Sequence, residues 1–256
     1  MSTGSRQRVA SVARALALLD EVAGSESGLG VNELARRIGV NASTASRLLA
    51  TLEAGGFVER SPDGPYRLGL KLVALSDRVL GQLDVRDRAR PWLTWLVQET
   101  GETATLSIAG GGEAITVDFV PSSSSVVSMA RLGRPSVAHA TAAGKVMLAF
   151  GVPGGPGDRG LAGELVAFTE RTITDRETLA TELDAVRASG VAEAVGEREP
   201  DLNALAAPVM GREGELVAIL GLQGPAARLP ASTRRALRAP LRKAAGEVSR
   251  SLGGPG

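Results

Sequence analysis

The stretch that most constrains the fold runs from Val31 to Gly56, with the sequence VNELARRIGVNASTASRLLATLEAGG. Its apolar residues recur at helical spacing on both sides of Gly39, which predicts two short helices joined by a tight turn. Asn32 is placed to cap the first helix, and the second begins at position 41 or 42 and stops at the final Gly-Gly pair. Two short helices joined in this way are typical of a helix-turn-helix.

The second of these helices carries a polar face that has almost nothing to bury. At about 100° per residue, Leu48, Leu49 and Leu52 cluster around Ala45 on one side. Small hydroxyls and one arginine lie on the other side and can approach base edges and phosphates without steric conflict. An ordinary solvated helix face is the alternative. The residues of the helix pair that we predict to contact DNA are Asn32, Asn41, Ser43, Thr44, Ser46 and Arg47.

Residues 57–68 extend the prediction, because a strand, an SPDGP turn and a second strand form a hairpin directly after the helix pair. That order is the one found in winged helix-turn-helix domains. Arg60 and Arg67 of the hairpin are left free to touch phosphate, although they could equally be solvent-exposed charges. Arg6 and Arg8 precede the first acidic residue of the chain, and we include them among the predicted DNA contacts.

Composition limits the chemistry that this chain can perform. It has no cysteine, and His139 is its single histidine, which excludes thiolate and multi-histidine metal sites. A lone histidine ahead of a helix is usually structural, and no acid–histidine–nucleophile constellation can be identified. We therefore expect no metal, no cofactor and no catalytic residue.

The net charge of +1 is too small for a non-specific nucleic-acid coat. DNA binding must therefore depend on local geometry and on repetition by oligomerisation. No apolar run approaches the ~18 residues that cross a bilayer. The N-terminus lacks a signal-peptide core, so we expect a cytoplasmic protein.

The 256 residues are enough for two domains. Residues 69–83 have helical periodicity and could be a helical linker or a dimer seam. Residues 84–256 mix strands, helices and several hairpins, which indicates an α+β sensor domain with an antiparallel sheet.

Three helices of this second region are predicted in detail. Thr141 can cap a helix that runs from Ala142 to Phe150, and Thr174 can cap a helix over residues 175–189. Residues 161–168 are also expected to be helical.

With these pieces placed, the chain resembles the IclR family of bacterial transcription regulators over nearly its whole length. Four stretches carry the resemblance through their order and spacing. They are VNELARRIGVNASTASRLLATLEAGGFVER with the later YRLG, TGET, HATAAGKVMLA, and TLATELDAVRASGVAEAVGEREPDLNALAAPVMGREGELVAILGLQGP.

The resemblance implies a winged helix-turn-helix over residues 1–68, a linker helix over 69–83 and an effector-binding and oligomerisation domain over 84–256. That last domain would be similar to the GAF fold, with an antiparallel sheet flanked by helices. The resemblance also implies homodimers, often paired into homotetramers, on palindromic operators. The chain departs from the family at Pro200 and Asn203, in a region where members often carry a glycine.

An effector site is implied as well, bounded by the start of the helix at Ala142, by the acidic loop and by the last sheet strands. A helix N-terminus offers unpaired N–H groups, and small side chains let an anion approach them, which favours a small organic or aromatic acid. A plain capped helix packed in the core is the alternative. The residues that match the family's effector site are Met129, Ala142, Ala143, Gly144, Glu199, Asp201, Ala206, Gly221 and Gln223.

Together these observations predict a ligand-responsive, sequence-specific DNA-binding transcription regulator, most simply a repressor, and not an enzyme. Its partners would be double-stranded operator DNA, a small-molecule effector and further copies of itself. The alternative is a small-molecule enzyme or sensor that uses the winged helix as a protein-interaction module.

Overall fold

A computed structural model of the protein describes residues 9–62, 64–81, 84–124, 130–133, 135–151 and 164–255. Contacts divide the chain into two compact units, Met1–Gln82 and Leu83–Gly256, called here the first and second units. Arg6, Arg8 and Met129, three of the predicted site residues, lie outside the described residues. Within the described ranges, no helix is both long and apolar enough to cross a membrane.

The first unit is a small helical domain that ends in a hairpin and a further helix. Its elements are α1 (Ala10–Ala23), α2 (Val31–Arg37), α3 (Ala42–Ala54), β1 (Val58–Arg60), β2 (Tyr66–Leu68) and α4 (Lys71–Gly81). The core that joins α1, α2, α3 and the hairpin consists of Leu18, Val22, Leu34, Leu49, Val58 and Tyr66. Strands β1 and β2 pair antiparallel, and an isolated bridge joins Leu29 to Tyr66. The predicted pair of helices and the hairpin are both confirmed.

One helix boundary in this unit differs from the prediction. Asn32 is not an N-cap, because α2 already begins at Val31, after Gly30 in extended conformation. The amide of Leu34 donates to the Gly30 carbonyl at 3.0 Å, which makes Gly30 the first residue of the helical hydrogen-bond pattern. Asn32 therefore lies in the first turn of the helix with its side chain exposed.

Helix α1 buries a different stripe from its most obvious apolar repeat. Leu18 and Val22 enter the core, where α1 packs on α3 and β2. Val9, Val12 and Leu16 recur at the spacing of one helix face, yet they are 65%, 56% and 57% exposed. The first unit therefore has uncovered apolar surface.

The second unit is built on one antiparallel six-stranded sheet in the order β5-β4-β3-β8-β7-β6. Its strands are β3 (Thr103–Gly110), β4 (Glu113–Val120), β5 (Pro135–Ser136), β6 (Ala192–Val195), β7 (Leu202–Met210) and β8 (Leu216–Pro225). Its described helices are α5 (Asp84–Thr100), α6 (Ala142–Phe150), α7 (Arg176–Ser189) and α8 (Ala231–Ser251). The predicted α+β class with an antiparallel sheet is confirmed.

Helix α6 occupies the centre of this unit. It packs against α7 and against strands β4, β6, β7 and β8. Val146 and Met147 of α6 are fully buried in a core that includes Leu179 of α7, Ala206 of β7 and Ile219 of β8. Helices α5 and α8 pack on each other and on β3, β7 and β8. The start of α6 is thereby held against the sheet.

Two predictions about α7 and the segment before it are wrong. Asp175, and not Thr174, caps α7, because its carboxylate accepts a hydrogen bond from the Thr178 amide at 2.7 Å. The described part of the predicted helix at 161–168, residues 164–168, is not helical, and residues 161–163 lie outside the described residues.

Hydroxyl groups explain why this segment is irregular. Thr172 Oγ1 accepts from the Phe168 amide and donates to the Glu197 carbonyl at 2.6 Å. Thr169 Oγ1 donates to the Gly196 carbonyl at 2.7 Å. These contacts fix the segment to the β6–β7 loop and supply the backbone partners that a helix would otherwise provide.

Candidate nucleic-acid interface and effector pocket

Helix α3 is positioned by its cap and by two buried residues. The Asn41 side-chain oxygen accepts from the Thr44 amide at 2.8 Å and from Ser43 Oγ at 2.9 Å. Ala45 and Leu49 are fully buried and hold the helix against the core. Asn41 therefore has a local structural role, whatever else it contacts.

The opposite side of α3 faces solvent, as its sequence predicts. Ser43, Ser46, Arg47 and Thr51 are exposed, and Thr44 is half-buried. We call Ser43, Ser46, Arg47 and Thr51 the polar face of α3. Its side chains are short apart from Arg47, so a nucleic-acid groove could approach the helix backbone closely.

Two arginines of the first unit, Arg36 and Arg37 of α2, are neutralised by acidic residues of the same unit. Arg36 and Arg37 contact Glu33 at 2.6 Å and 2.8 Å, and Arg37 also contacts Glu21 at 3.1 Å. Hydrogen bonds from Arg36 and then Arg37 lower the pKa of the Glu33 carboxyl to about 2.

For Arg47 and Arg67, as for Arg14 of α1, the described residues supply no ion-pair partner. Arg60 lies near them in sequence, and its guanidinium sits 5.8 Å from the centre of the Tyr66 ring, with a long 3.4 Å hydrogen bond to the Gly64 carbonyl. Positive charge therefore remains available to an anion on α3 and on the hairpin, as well as at Arg14 of α1 and Lys71 of α4.

The start of α6 combines a cap with very close packing in the second unit. Thr141 Oγ1 accepts from the Gly144 amide at 3.0 Å and donates to the Val137 carbonyl at 2.9 Å, so the predicted Thr141 cap is confirmed. A Cβ atom added to Gly144 would overlap the Ala138 backbone and its carbonyl oxygen. Only glycine lets the helix start lie this close to the preceding segment.

The first amides of α6 differ from those that follow. Gly144 N–H is taken by the cap, and Lys145 N–H donates to the Thr141 carbonyl at 2.9 Å. No described residue accepts from the amides of Ala142 or Ala143. Two N–H groups at the positive end of the helix dipole are thus available to a ligand.

These two residues border a pocket between the start of α6, the β6–β7 loop and the sheet. Its empty space, including the part that opens to solvent at its mouth, is about 770 Å³. Six of the predicted effector residues line it, namely Ala142, Ala143, Glu199, Ala206, Gly221 and Gln223. Gly144 and Asp201 do not, and Met129 lies outside the described residues.

Gly221 belongs to the pocket for a steric reason. A Cβ atom at Gly221 would lie 2.5 Å from the Thr105 hydroxyl oxygen on the neighbouring strand. The glycine therefore leaves room for that hydroxyl to stand at the pocket wall.

Several lining residues were missed by the sequence interpretation. The polar ones are Thr105, Ser107, Thr116, Arg131, Ser136, Thr141, Glu197 and Arg198. A signal for some of them was present, because Thr105 and Ser107 alternate along β3 and Thr116 pairs with Ser107 across the β3–β4 ladder. Hydroxyls at every second position of an otherwise apolar strand indicate a strand face that is not simply core.

His139 is buried, and its Nε2 lies 2.9 Å from the Val166 carbonyl oxygen, with Phe168 beside the ring. Its contacts hold the loop ahead of α6. Among the residues that the structure describes, no group of three His, Cys, Asp or Glu side chains could hold a metal ion.

Comparisons with known proteins agree with this two-part geometry. Residues 11–62 match the model of the IclR helix-turn-helix domain, and residues 77–250 match that of the bacterial transcriptional regulator IclR C-terminal domain. The HTH-type transcriptional regulator XynR of Escherichia coli is 33% identical over 96% of this chain and 98% of its own length.

Two solved structures extend the likeness to the fold. The Thermotoga maritima IclR is 30% identical with a TM-score of 0.71, covering 96% of this chain and 100% of that one. An IclR homolog from Microbacterium hydrocarbonoxydans complexed with 4-hydroxybenzoate is 26% identical with a TM-score of 0.78, covering 94% and 98%.

Proposed function

The chain belongs to the IclR family of bacterial transcription regulators, and on that premise we propose that it represses transcription from a palindromic operator under the control of a small organic acid. The polar face of α3 is the observation that carries this proposal. It combines exposed hydroxyls with Arg47, whose charge no described residue neutralises. In the proposed complex this face enters the major groove, and Arg60 and Arg67 of the hairpin contact phosphate.

A dimer is part of the proposal, because one near-neutral first unit would bind DNA weakly. Two copies would place two α3 helices in successive major grooves, about 34 Å apart.

Uncovered apolar residues of the first unit support the pairing of two copies. Val12 and Leu16 of α1 are 56% and 57% exposed, and Val73 of α4 and the neighbouring Leu70 are 56% and 75% exposed. We propose further that two such dimers pair into a tetramer on the operator.

The second unit supplies the response in this proposal. The free amides of Ala142 and Ala143, together with the small side chains around them, suit a carboxylate. The Microbacterium homolog is complexed with 4-hydroxybenzoate, a small aromatic acid. We propose that the pocket binds its acid without converting it, and that the protein acts in the cytoplasm.

A gel shift with the DNA upstream of the protein's own gene tests the proposal. The wild-type protein should shift that DNA, and at least one compound from a panel of small organic and aromatic acids should change the operator affinity. Absence of any shift would contradict the proposal and favour a protein-interaction role for the winged helix. A shift that no acid alters would contradict only the effector class.

A further inference from the structure

A buried ion pair stands behind the wall of the effector pocket. Lys145 of α6 is 1% exposed, and its Nζ donates to Glu197 Oε1 at 2.7 Å. The same ammonium group donates to the Glu193 carbonyl at 3.0 Å and lies 3.4 Å from Glu182 Oε1. All three donor directions of Lys145 are therefore used.

Glu197 is only half satisfied by this arrangement. Its side chain is buried, and Oε1 takes the bond from Lys145 and a long 3.4 Å contact from the Val195 amide. Oε2 is also buried, and it has no hydrogen-bond partner among the described residues. A buried carboxylate oxygen without a donor is costly, which indicates a partner that binds from outside the fold.

Glu197 also occupies a boundary between two cavities. It lines the effector pocket, and it lines a separate cleft that contains Lys145 and Glu182, neither of which borders the effector pocket. Oε1 is committed to Lys145, which itself lines only the cleft, so Oε2 is the carboxylate oxygen without a partner on a residue that lines the effector pocket.

The charge of Glu197 does not oppose an acidic ligand. Lys145 offsets it at 2.7 Å, so the group keeps its power to accept a hydrogen bond while its net field is reduced. The carboxylate of the ligand has a different place, at the amides of Ala142 and Ala143. The amides of Ala142 and Ala143 suit a carboxylate, whereas Glu197 Oε2 suits a group that donates a hydrogen bond.

We propose that the effector is a hydroxy acid whose hydroxyl donates a hydrogen bond to Glu197 Oε2, and that Glu197 selects for this donor. Lys145 is the positioning residue that holds the carboxylate. This inference rests on the proposed function of the pocket as an acid-binding site, and it names the class of acid. Simple carboxylic acids leave Oε2 unpaired and are rejected.

Matched trios of acids test the donor requirement by calorimetric titration of the full chain. One trio is lactate, propionate and 2-methoxypropionate, and the other is 4-hydroxybenzoate, benzoate and 4-methoxybenzoate. In each trio the first acid carries the hydroxyl and the second lacks it. The third carries a methyl ether, which can accept a hydrogen bond but cannot donate one. In at least one trio the hydroxy acid binds the wild-type protein at least ~10-fold more tightly than both of its twins.

Two variants assign the selection to Glu197. Glu197→Gln keeps an oxygen for Lys145 and presents an amide that donates, so the advantage of the hydroxyl over the methyl ether shrinks by at least ~10-fold. Glu182→Gln is the control, because it removes the charge of another Lys145 partner outside the pocket. It keeps the wild-type preference. If Glu197→Gln does not fold, the ranking of the acids by the wild-type protein still tests whether a hydroxyl donor is required.

The inference is overturned if the twins bind as tightly as the hydroxy acids, or if folded Glu197→Gln keeps the wild-type preference. It is also overturned if neither hydroxy acid binds a preparation that shifts operator DNA. Failure of the same preparation to shift the DNA would instead count against the proposed function, so the two failures are distinguishable.

Discussion

Helices α3 and α6 begin with the same kind of side-chain cap, but one helix start is exposed and the other is buried. In α3 the Asn41 side chain accepts from the Thr44 amide at 2.8 Å, and in α6 the Thr141 hydroxyl accepts from the Gly144 amide at 3.0 Å. Yet the residue that follows the cap is exposed in α3, and its counterpart Ala142 is buried in α6.

This difference shows that a capped helix start has no fixed function. In the first unit α3 packs by one side only, and its polar face remains open to a partner as wide as a DNA groove. In the second unit α6 packs against α7 and four strands, and its start borders a pocket. The surroundings decide whether a polymer or a small molecule can reach the helix.

The enclosure of α6 should make it the more sensitive of the two helices to added volume. Gly144→Ala forces a Cβ atom into the Ala138 backbone and should destabilise the second unit by on the order of 1–3 kcal/mol or more. Trp92 and Trp95 are the chain's two tryptophans and both lie in this unit, so their fluorescence reports its unfolding.

Gly110→Ala is the matched control in the same unit, because its added Cβ would meet the movable end of the Ile115 side chain. We expect a clearly smaller loss. Equal melting of Gly144→Ala and the wild-type protein would show that α6 is not held as closely as described.

Removal of the α3 and α6 caps should give the next largest loss of stability, and each removal should affect a different function. Asn41→Ala and Thr141→Ala should each cost ~1 kcal/mol, the usual effect of losing a side-chain cap. Tyr66, the chain's one tyrosine, reports unfolding of the first unit, and the tryptophans report the second. Only Asn41→Ala should also weaken operator binding, and only Thr141→Ala should change the response to acids. Loss of operator binding in Thr141→Ala without any effector would contradict the division of roles.

The smallest effect should be a pH dependence that is confined to the first unit. Hydrogen bonds from Arg36 and Arg37 lower the pKa of Glu33 from 4.5 to about 2. A lowered folded-state pKa contributes stability that is complete above about pH 4.5 and is lost as the pH falls towards 2. In Glu33→Gln the melting temperature from Tyr66 should fall slightly less between pH 5 and pH 2.5. An identical pH slope in the variant and the wild-type protein would show that the contacts of Glu33 do not contribute to the pH dependence of stability.

Local features of the sequence were sufficient to predict much of the fold. The helix pair, the hairpin and the Thr141 cap follow from residues within a few positions of one another. Asn32 and Thr174 fail as caps because Gly30 and Asp175 start their helices at neighbouring positions, a competition that spacing alone does not resolve. Boundaries of helices are sensitive to such local alternatives.

The contents of the pocket were harder to predict, because they depend on contacts between distant residues. Glu197 meets Lys145 across 52 positions of sequence, and the loop that carries Glu197 is fixed by Thr169 and Thr172. No periodicity records these contacts. The free amides of Ala142 and Ala143, by contrast, follow from the helix start itself.

The operator affinity of Arg47→Ala tests the central claim most directly. Arg235→Ala is the control, since Arg235 is an exposed arginine on α8 of the second unit and its removal changes the net charge equally. Measured by fluorescence anisotropy at fixed salt, Arg47→Ala should bind the operator about 10- to 100-fold more weakly than the wild-type protein, and Arg235→Ala should bind like the wild type. Wild-type operator affinity in a folded Arg47→Ala protein would contradict the assignment of the polar face of α3 as the DNA-contacting surface.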